Sequence, residues 1–272
     1  MKKILCTVEY DGTSYAGWQR QSNGLAVQQV LEEKLSECCR EKIGITGASR
    51  TDAGVHALGQ AFCFDTSSSI PPETFPFVLN TMLPPDIRVR SGREVPKGFH
   101  ARFMTCGKRY TYRMVNSRHA SAIRRNTHLH VPVALDEELM QQAAATLLGT
   151  HDFAAFQASG GTAKTTERTI RMAEITRCGD EITLVIEGNA FLYNMVRIIA
   201  GTLIEVGHCK RGTDAFLKAF ETLDRLALGV TAPPHGLELT TVYYPEEAFL
   251  VPDDIRWHEE EKKGEKPDAS DR

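Results

Sequence analysis

Residues 47 to 60 read GASRTDAGVHALGQ, a stretch with one carboxylate, Asp52, and a cation, Arg50, two residues before it. Gly47, Ala48, Ser49, Ala53 and Gly54 leave the backbone nearly bare around Arg50-Thr51-Asp52. Small residues let a ligand approach the chain closely. Arg50 is long enough to pair with the carboxylate or to bind a phosphate. Two readings stand on these residues alone. Asp52 is either placed for chemistry in a loop fixed by a rigid scaffold, or it caps nearby amides in an ordinary Asp-Ala-Gly turn.

Rival chemistries find little support. A phosphate-binding loop needs Gly-Lys-Ser/Thr ahead of a helix, and the sequence has none. The usual glycosidase needs two carboxylates across the scissile bond, and this stretch supplies one. His56 and the His128-x-His130 pair lack a carboxylate or cysteine at metal-ligand spacing, so no metal site is expected. His151-Asp152 reads as a cap and not as half of a triad, because no G-x-S-x-G stretch accompanies it.

Elements must hold such a loop in place, and 272 residues suffice for one large or two modest domains with a sizeable core. A hydrophobic share of 42% and a charged share of 25% are ordinary for a soluble globular protein. Residues 3 to 10 alternate as a strand, and Val27 to Cys39 keep helical spacing. ALGQAFCFD (57 to 65) reads as a strand, PPETFPFVLNTML as a short helix opened by prolines, and IRVRSGREV as a third strand. This β-α-β-α-β order ends near residue 106. A similar plan follows: the strand KRYTYRMVN, the helix DEELMQQAAATLLG, and a hairpin of TIRMAEITRC and EITLVIEGN around Gly179-Asp180. Helices near 192 to 207 and 213 to 226 precede a last strand, LELTTVYYP. The expected fold class is α+β: two similar ferredoxin-like, RNP-type α-β sandwich domains with mainly antiparallel sheets, residues 1–106 and 107–251. The stretch from 252 to 272 is charged and poor in apolar residues, and is expected to be disordered.

Charge and cysteine usage narrow the partners. The net charge of −3 hides a division: residues 246 to 272 carry ten acids and five bases, net −5, which leaves residues 1 to 245 at +2. Between Arg88 and Arg125 there are eleven Lys/Arg and one acid, Glu94, a local +10, interleaved with Phe99, Phe103, Tyr110 and Tyr112. That is the footprint of a surface for a phosphate backbone, against the plainer reading of a solvated face. Neither the N-terminus, MKKILCTVEYDGTSY, nor FLYNMVRIIAGTLIEVG has the pattern of a signal peptide or a bilayer span. Seven cysteines without a C-x-x-C pair suit a reducing cytoplasm.

GASRTDAGVHALGQ closely resembles the signature loop of the tRNA pseudouridine synthase A family, which acts on the anticodon stem-loop. Further blocks agree in order: YDGTSYAGWQRQ (10 to 21), FHARF (99 to 103), KRYTYRM (108 to 114), NAFLYNMVRIIAGTLIEVG (189 to 207) and TAPPHGLELTTVYYP (231 to 245). The resemblance spans roughly residues 3 to 245. Ser49 departs from it, since glycine is more usual there.

The resemblance implies isomerisation of uridine to pseudouridine at nucleotides 38, 39 and 40 of the tRNA, with the N1 glycosidic bond broken and C5 rejoined to C1′. It makes Asp52 the essential carboxylate, with attack on C1′, addition to the base and removal of a 2′ proton all left open. Tyr110 matches the tyrosine that stacks on the target base, Arg197 the arginine paired with the aspartate, and Arg50 the arginine that fills the gap left by the flipped nucleotide. Leu237, in PPHGL, either packs on the uracil or belongs to a turn into the last strand. Arg102, Lys108, Arg109, Arg124 and Arg125 are candidate phosphate contacts. These roles suit a reaction that must extrude a stacked base, offset the loss with an aromatic face and a cation, and keep one carboxylate charged in a partly dry pocket. The uracil never leaves, so no cofactor is expected. The expected partners are tRNA, across a central basic cleft between the domains, and a second copy of the chain in a homodimer. The alternative is a non-catalytic tRNA-binding or chaperone module using the same surface.

Overall fold

The computed structural model describes residues 1–253 and residue 255. Alternation along β1 (Lys2–Tyr10) buries Ile4, Cys6, Val8 and Tyr10 on one face. α1 (Val27–Cys39) covers that face with Val27, Val30, Leu31 and Leu35, the helical spacing of its sequence. β2 (Thr46–Gly47) and β3 (His56–Thr66) follow, and the Asp52 loop lies between them. A three-residue turn of 3₁₀ helix, Pro72–Thr74, leads into α2 (Phe75–Met82), and β4 (Ile87–Val95) closes this half.

β5 (Gly107–Asn116) opens the second half and turns Tyr110, Tyr112 and Met114 toward the core. β6 (Leu129–Val131), α3 (Glu137–Ala145), β7 (Gly149–Asp152), the hairpin of β8 (Glu167–Cys178) and β9 (Glu181–Gly188), α4 (Met195–Gly207), α5 (Ala215–Thr222) and β10 (Leu237–Tyr243) complete it. Asp136 caps α3 by accepting from the Leu139 N–H at 3.0 Å. That helix stops at Ala145, short of Gly149, where the chain turns into β7. The strands β2, β6 and β7 have two to four residues, too few to show a period.

Among the described residues all ten strands join one sheet, with the order β4-β1-β3-β10-β5-β9-β8-β7 and with β2 on β3 and β6 on β5. The junction near residue 106 is crossed by β10, which runs parallel to β3 through Glu238↔His56 and Leu239↔Ala57 and antiparallel to β5. β10 meets only the start of β3; further along, β2 takes its place opposite Phe62 and Cys63. The Asp52 loop occupies the wedge where these neighbours part. The helices pack on one face of the sheet, and a smaller apolar cluster of Leu5, Ala61, Cys63, Val95, Phe99, Ala101 and Ala248 lies apart from that core. The expectation of a disordered tail falls, except at Pro252, Asp253 and Ile255, outside the described residues.

Trp18, fully buried, lies under Gly47, where a Cβ would collide with its indole ring. Gly47→Ala is expected to lower stability by about 1–3 kcal/mol through overpacking, read as a lower urea midpoint with an unchanged slope.

Candidate active site

Contacts within the chain hold the wedge in shape. The Trp18 N–H donates to the Thr51 carbonyl at 3.0 Å, and the Tyr10 hydroxyl lies 2.7 Å from Thr51 Oγ1. Gly17, at φ +94°, brings the chain after β1 against the Thr51 carbonyl, where a Cβ would stand 2.6 Å away. The Val55 N–H closes a turn on the Asp52 carbonyl at 3.1 Å, with Gly54 at φ +78° in the position that requires a positive angle. So the Asp-Ala-Gly turn exists, but its carboxylate does not cap it.

Asp52 Oδ2 instead accepts from Arg197 Nη1 at 3.1 Å, and both side chains are largely shielded from solvent. Arg197 rises from the first turn of α4. Its Nε donates to the Ala232 carbonyl at 2.7 Å and its Nη1 also to Asn194 Oδ1 at 2.8 Å. Asn194 enters the helix in the left-handed region at φ 60°, a conformation asparagine tolerates better than most residues. Asp52 Oδ1 has no hydrogen-bond partner among the described residues. One oxygen is thus pinned and the other left open.

Tyr110 closes the site from β5. Its hydroxyl lies 3.0 Å from Ser49 Oγ, and its ring meets the edge of Phe191 with centroids 5.1 Å apart. Burial first, and then the nearby Asp52 charge, push the phenol up to about 12, with the Ser49 hydrogen bond opposing them. Tyr110 is therefore a neutral phenol at any physiological pH. Gln60 fixes Ser49 in turn, donating to its carbonyl at 2.7 Å.

The small residues of the loop have a different reason from the one expected. Gly47 makes room for Trp18, Ala48 is fully buried and Ser49 binds Tyr110. Only Ala53 and Gly54 keep the open side of the turn bare, and Gly54 faces Pro234 of the PPHG turn. Leu237 is buried at the start of β10 opposite Tyr112, whose hydroxyl donates to the Pro233 carbonyl at 2.8 Å. Tyr112, Met195, Ile198, Ile199 and Leu203 are core residues. His56 binds the Asn126 and His235 carbonyls through Nε2, while Asp152 caps the turn at Ala154.

The basic stretch is less basic in space than in sequence. Arg90 pairs with Glu9, Arg109 with Glu187 at 2.9 Å, Arg113 with Glu238 at 2.7 Å and Arg124 with Asp180 at 3.0 Å. Arg109 stands directly opposite Glu187 across the β5–β9 ladder, and strand alternation turns it away from the face of Tyr110. Arg50 is exposed and forms no ion pair among the described residues, and exposed Arg125 reaches only the Ala122 carbonyl, at 2.8 Å. Lys108 has no ion-pair partner among the described residues, and Arg102 lies between the strands β4 and β5 beside Phe103. Asn194, Phe191 and the Ala232 carbonyl are site groups that motif reading missed. Only Asn194 left a signal, its i,i+3 spacing from Arg197.

The model of the family described as tRNA pseudouridine synthase matches residues 7–104 and 143–245. The chain is 49% identical to tRNA pseudouridine synthase A of Ruminiclostridium cellulolyticum over 245 residues, covering 90% of this chain and 100% of that one. It is 48% identical to the protein of the same name from Acetivibrio thermocellus over 244 residues, with the same shares covered. Among solved structures, a Cbf5-Nop10-Gar1 complex aligns over 89% of this chain and 50% of that chain at 9% identity and a TM-score of 0.39, too remote a likeness to build on.

Ser49→Ala leaves the buried Tyr110 hydroxyl without its partner, and is expected to cost about 1–3 kcal/mol of stability. Chemical denaturation of the two proteins checks this.

Proposed function

Since the chain belongs to the tRNA pseudouridine synthase family, whose members isomerise uridine to pseudouridine in tRNA, we propose that its targets are uridines 38, 39 and 40 on the 3′ side of the anticodon arm and that Asp52 does the chemistry. The observation that carries this reading is the Asp52–Arg197 pair beside Tyr110, with one carboxylate oxygen held and the other open. An extruded uridine brings its ribose to the open Oδ1 and its uracil to Tyr110. The base must displace the Phe191 edge to lie on the tyrosine ring. Arg197 holds the carboxylate in place and opposes the cost of drying it. The N1–C1′ bond breaks, the uracil turns within the pocket, and C5 bonds to C1′ and gives up its proton, so every atom of the base is kept. Arg50, exposed two residues from Asp52, fills the gap in the stem, which offsets part of the unstacking cost.

The partner assignments follow from the same reading. The chain works as a homodimer in which one tRNA touches both subunits, with residues 1–106 and 107–251 as the two walls of the cleft. Unpaired cysteines at all seven positions suit a reducing cytoplasm, and among the described residues no helix is long and apolar enough to cross a membrane.

Asp52→Asn keeps the shape of the side chain and a hydrogen-bond acceptor for Arg197. It is expected to reduce pseudouridine formation on unmodified tRNA transcript by about a thousand-fold or more, with tRNA binding retained. A parent protein that binds tRNA and forms no pseudouridine would establish the chaperone reading instead. Arg197→Lys cannot reach Ala232, Asn194 and Asp52 together, and is expected to slow single-turnover conversion about a hundred-fold.

A further inference from the structure

Two cations on the Tyr110 face take no part in the Asp52–Arg197 pair. Along β5 the side chains of Lys108, Tyr110 and Tyr112 share a face, and Lys108 stands two residues from Tyr110, about 7 Å at ~3.4 Å per residue. The register carries that face sideways, with Lys108 opposite Gly188 of β9 and Gly188 opposite Ile170 of β8. Arg168, two residues before Ile170, points the same way. Gly188 puts no side chain between them. A Cβ there would press on Ile170 and Phe191, the ring that meets Tyr110.

Neither cation is matched by an acid. The Lys108 ammonium has no hydrogen bond or ion pair among the described residues. Arg168 Nη1 donates to Thr165 Oγ1 at 3.2 Å and to the Glu167 carbonyl at 2.5 Å, while its Nε is buried without a partner. Burial pulls the Lys108 ammonium down to about 8, and repulsion from Arg102 and Arg168 adds to the effect. The reverse face of β5 is the contrast, for there Arg109 and Arg113 each meet a glutamate.

We propose that Lys108 and Arg168 seat one backbone phosphate of the RNA, the one adjoining the nucleotide whose base lies on Tyr110. The proposal rests on the reading of Asp52, Arg197 and Tyr110 as the pocket for an extruded uridine. A phosphodiester fits the donors: the arginine fork takes oxygens in its plane, and the lysine adds a point charge. Its position one nucleotide's reach from Tyr110 sets the register of the strand, so that the target ribose arrives at Asp52. The phosphate also relieves the mutual repulsion of the cations, which couples binding of the backbone to order in the pocket.

The test uses the full chain and an anticodon stem-loop RNA with a single target uridine. Lys108→Gln and Arg168→Gln are each expected to weaken RNA binding about ten-fold and to flatten the slope of log K against log salt by about 0.7–1. The catalytic loss falls on KM rather than kcat, and Lys108→Arg restores it. An uncharged methylphosphonate at the adjoining linkage weakens the wild-type chain by the same factor and leaves Lys108→Gln nothing further to lose. Unchanged affinity and slope in both variants, or an equal loss for Lys108→Gln on natural and methylphosphonate RNA, overturns the phosphate seat. Pseudouridine formed by the wild-type chain on the same RNA keeps the two readings apart. Product formation with unaltered slopes sinks the seat alone, whereas RNA binding without product sinks the isomerase reading and this assignment with it.

Discussion

The ion pair between Asp52 and Arg197 joins positions 145 residues apart, a loop of the first half and a helix of the second. Both side chains are mostly shielded from water, so loss of either partner strands a charge that the fold has already desolvated. Much of the surrounding structure bears on this one contact. On one side the Trp18 N–H and Gln60 hold the loop backbone at Thr51 and Ser49, Gly17 gives it room, and Tyr10 meets the Thr51 hydroxyl. On the other, Asn194 and the Ala232 carbonyl hold the guanidinium, and Gly201 gives the 230–232 segment room to lie against α4, where a Cβ would collide with the Val230 carbonyl. The sheet itself serves the pair. By bridging β3 and β5, β10 joins the half that carries the loop to the half that carries the helix.

The same crowding accounts for the bareness of the loop. Gly47, Ala48 and Ser49 have an indole, a buried cluster and a tyrosine hydroxyl in the space beside them. Ser49 is the informative case. Its hydroxyl gives Tyr110 a fixed partner at 3.0 Å. A phenol held neutral and rotationally fixed offers a defined aromatic face, whereas a free one would lose entropy when a base stacks on it.

Charge shows the clearest difference between a local count and a folded surface. The eleven cations between Arg88 and Arg125 look unopposed along the chain, yet β9 and β10 bring Glu187 and Glu238 to Arg109 and Arg113. Cross-strand partners lie far away in sequence, and no window can register them. What remains without a carboxylate partner is therefore not the stretch as a whole but particular residues, such as exposed Arg125 and Lys108 on the face of Tyr110.

The amino-acid sequence by itself determined those elements whose side chains repeat long enough to declare a period. α1 runs over Val27–Cys39 and β4 over Ile87–Val95 as their patterns predict, while the two-residue β2 is silent. It also singled out Asp52, Tyr110 and Arg197, because they sit in local motifs whose residue types remain readable without a fold. Tertiary structure alone decided what each of them touches. The pairing of Asp52 with Arg197 instead of Arg50, the hydroxyl contact of Ser49, the burial of Leu237 and the continuity of the sheet through Glu238↔His56 are all contacts between distant segments. Periodicity records which face a residue turns inward. It contains no information on which face of another element will meet it, since that is set by the packing of the whole chain.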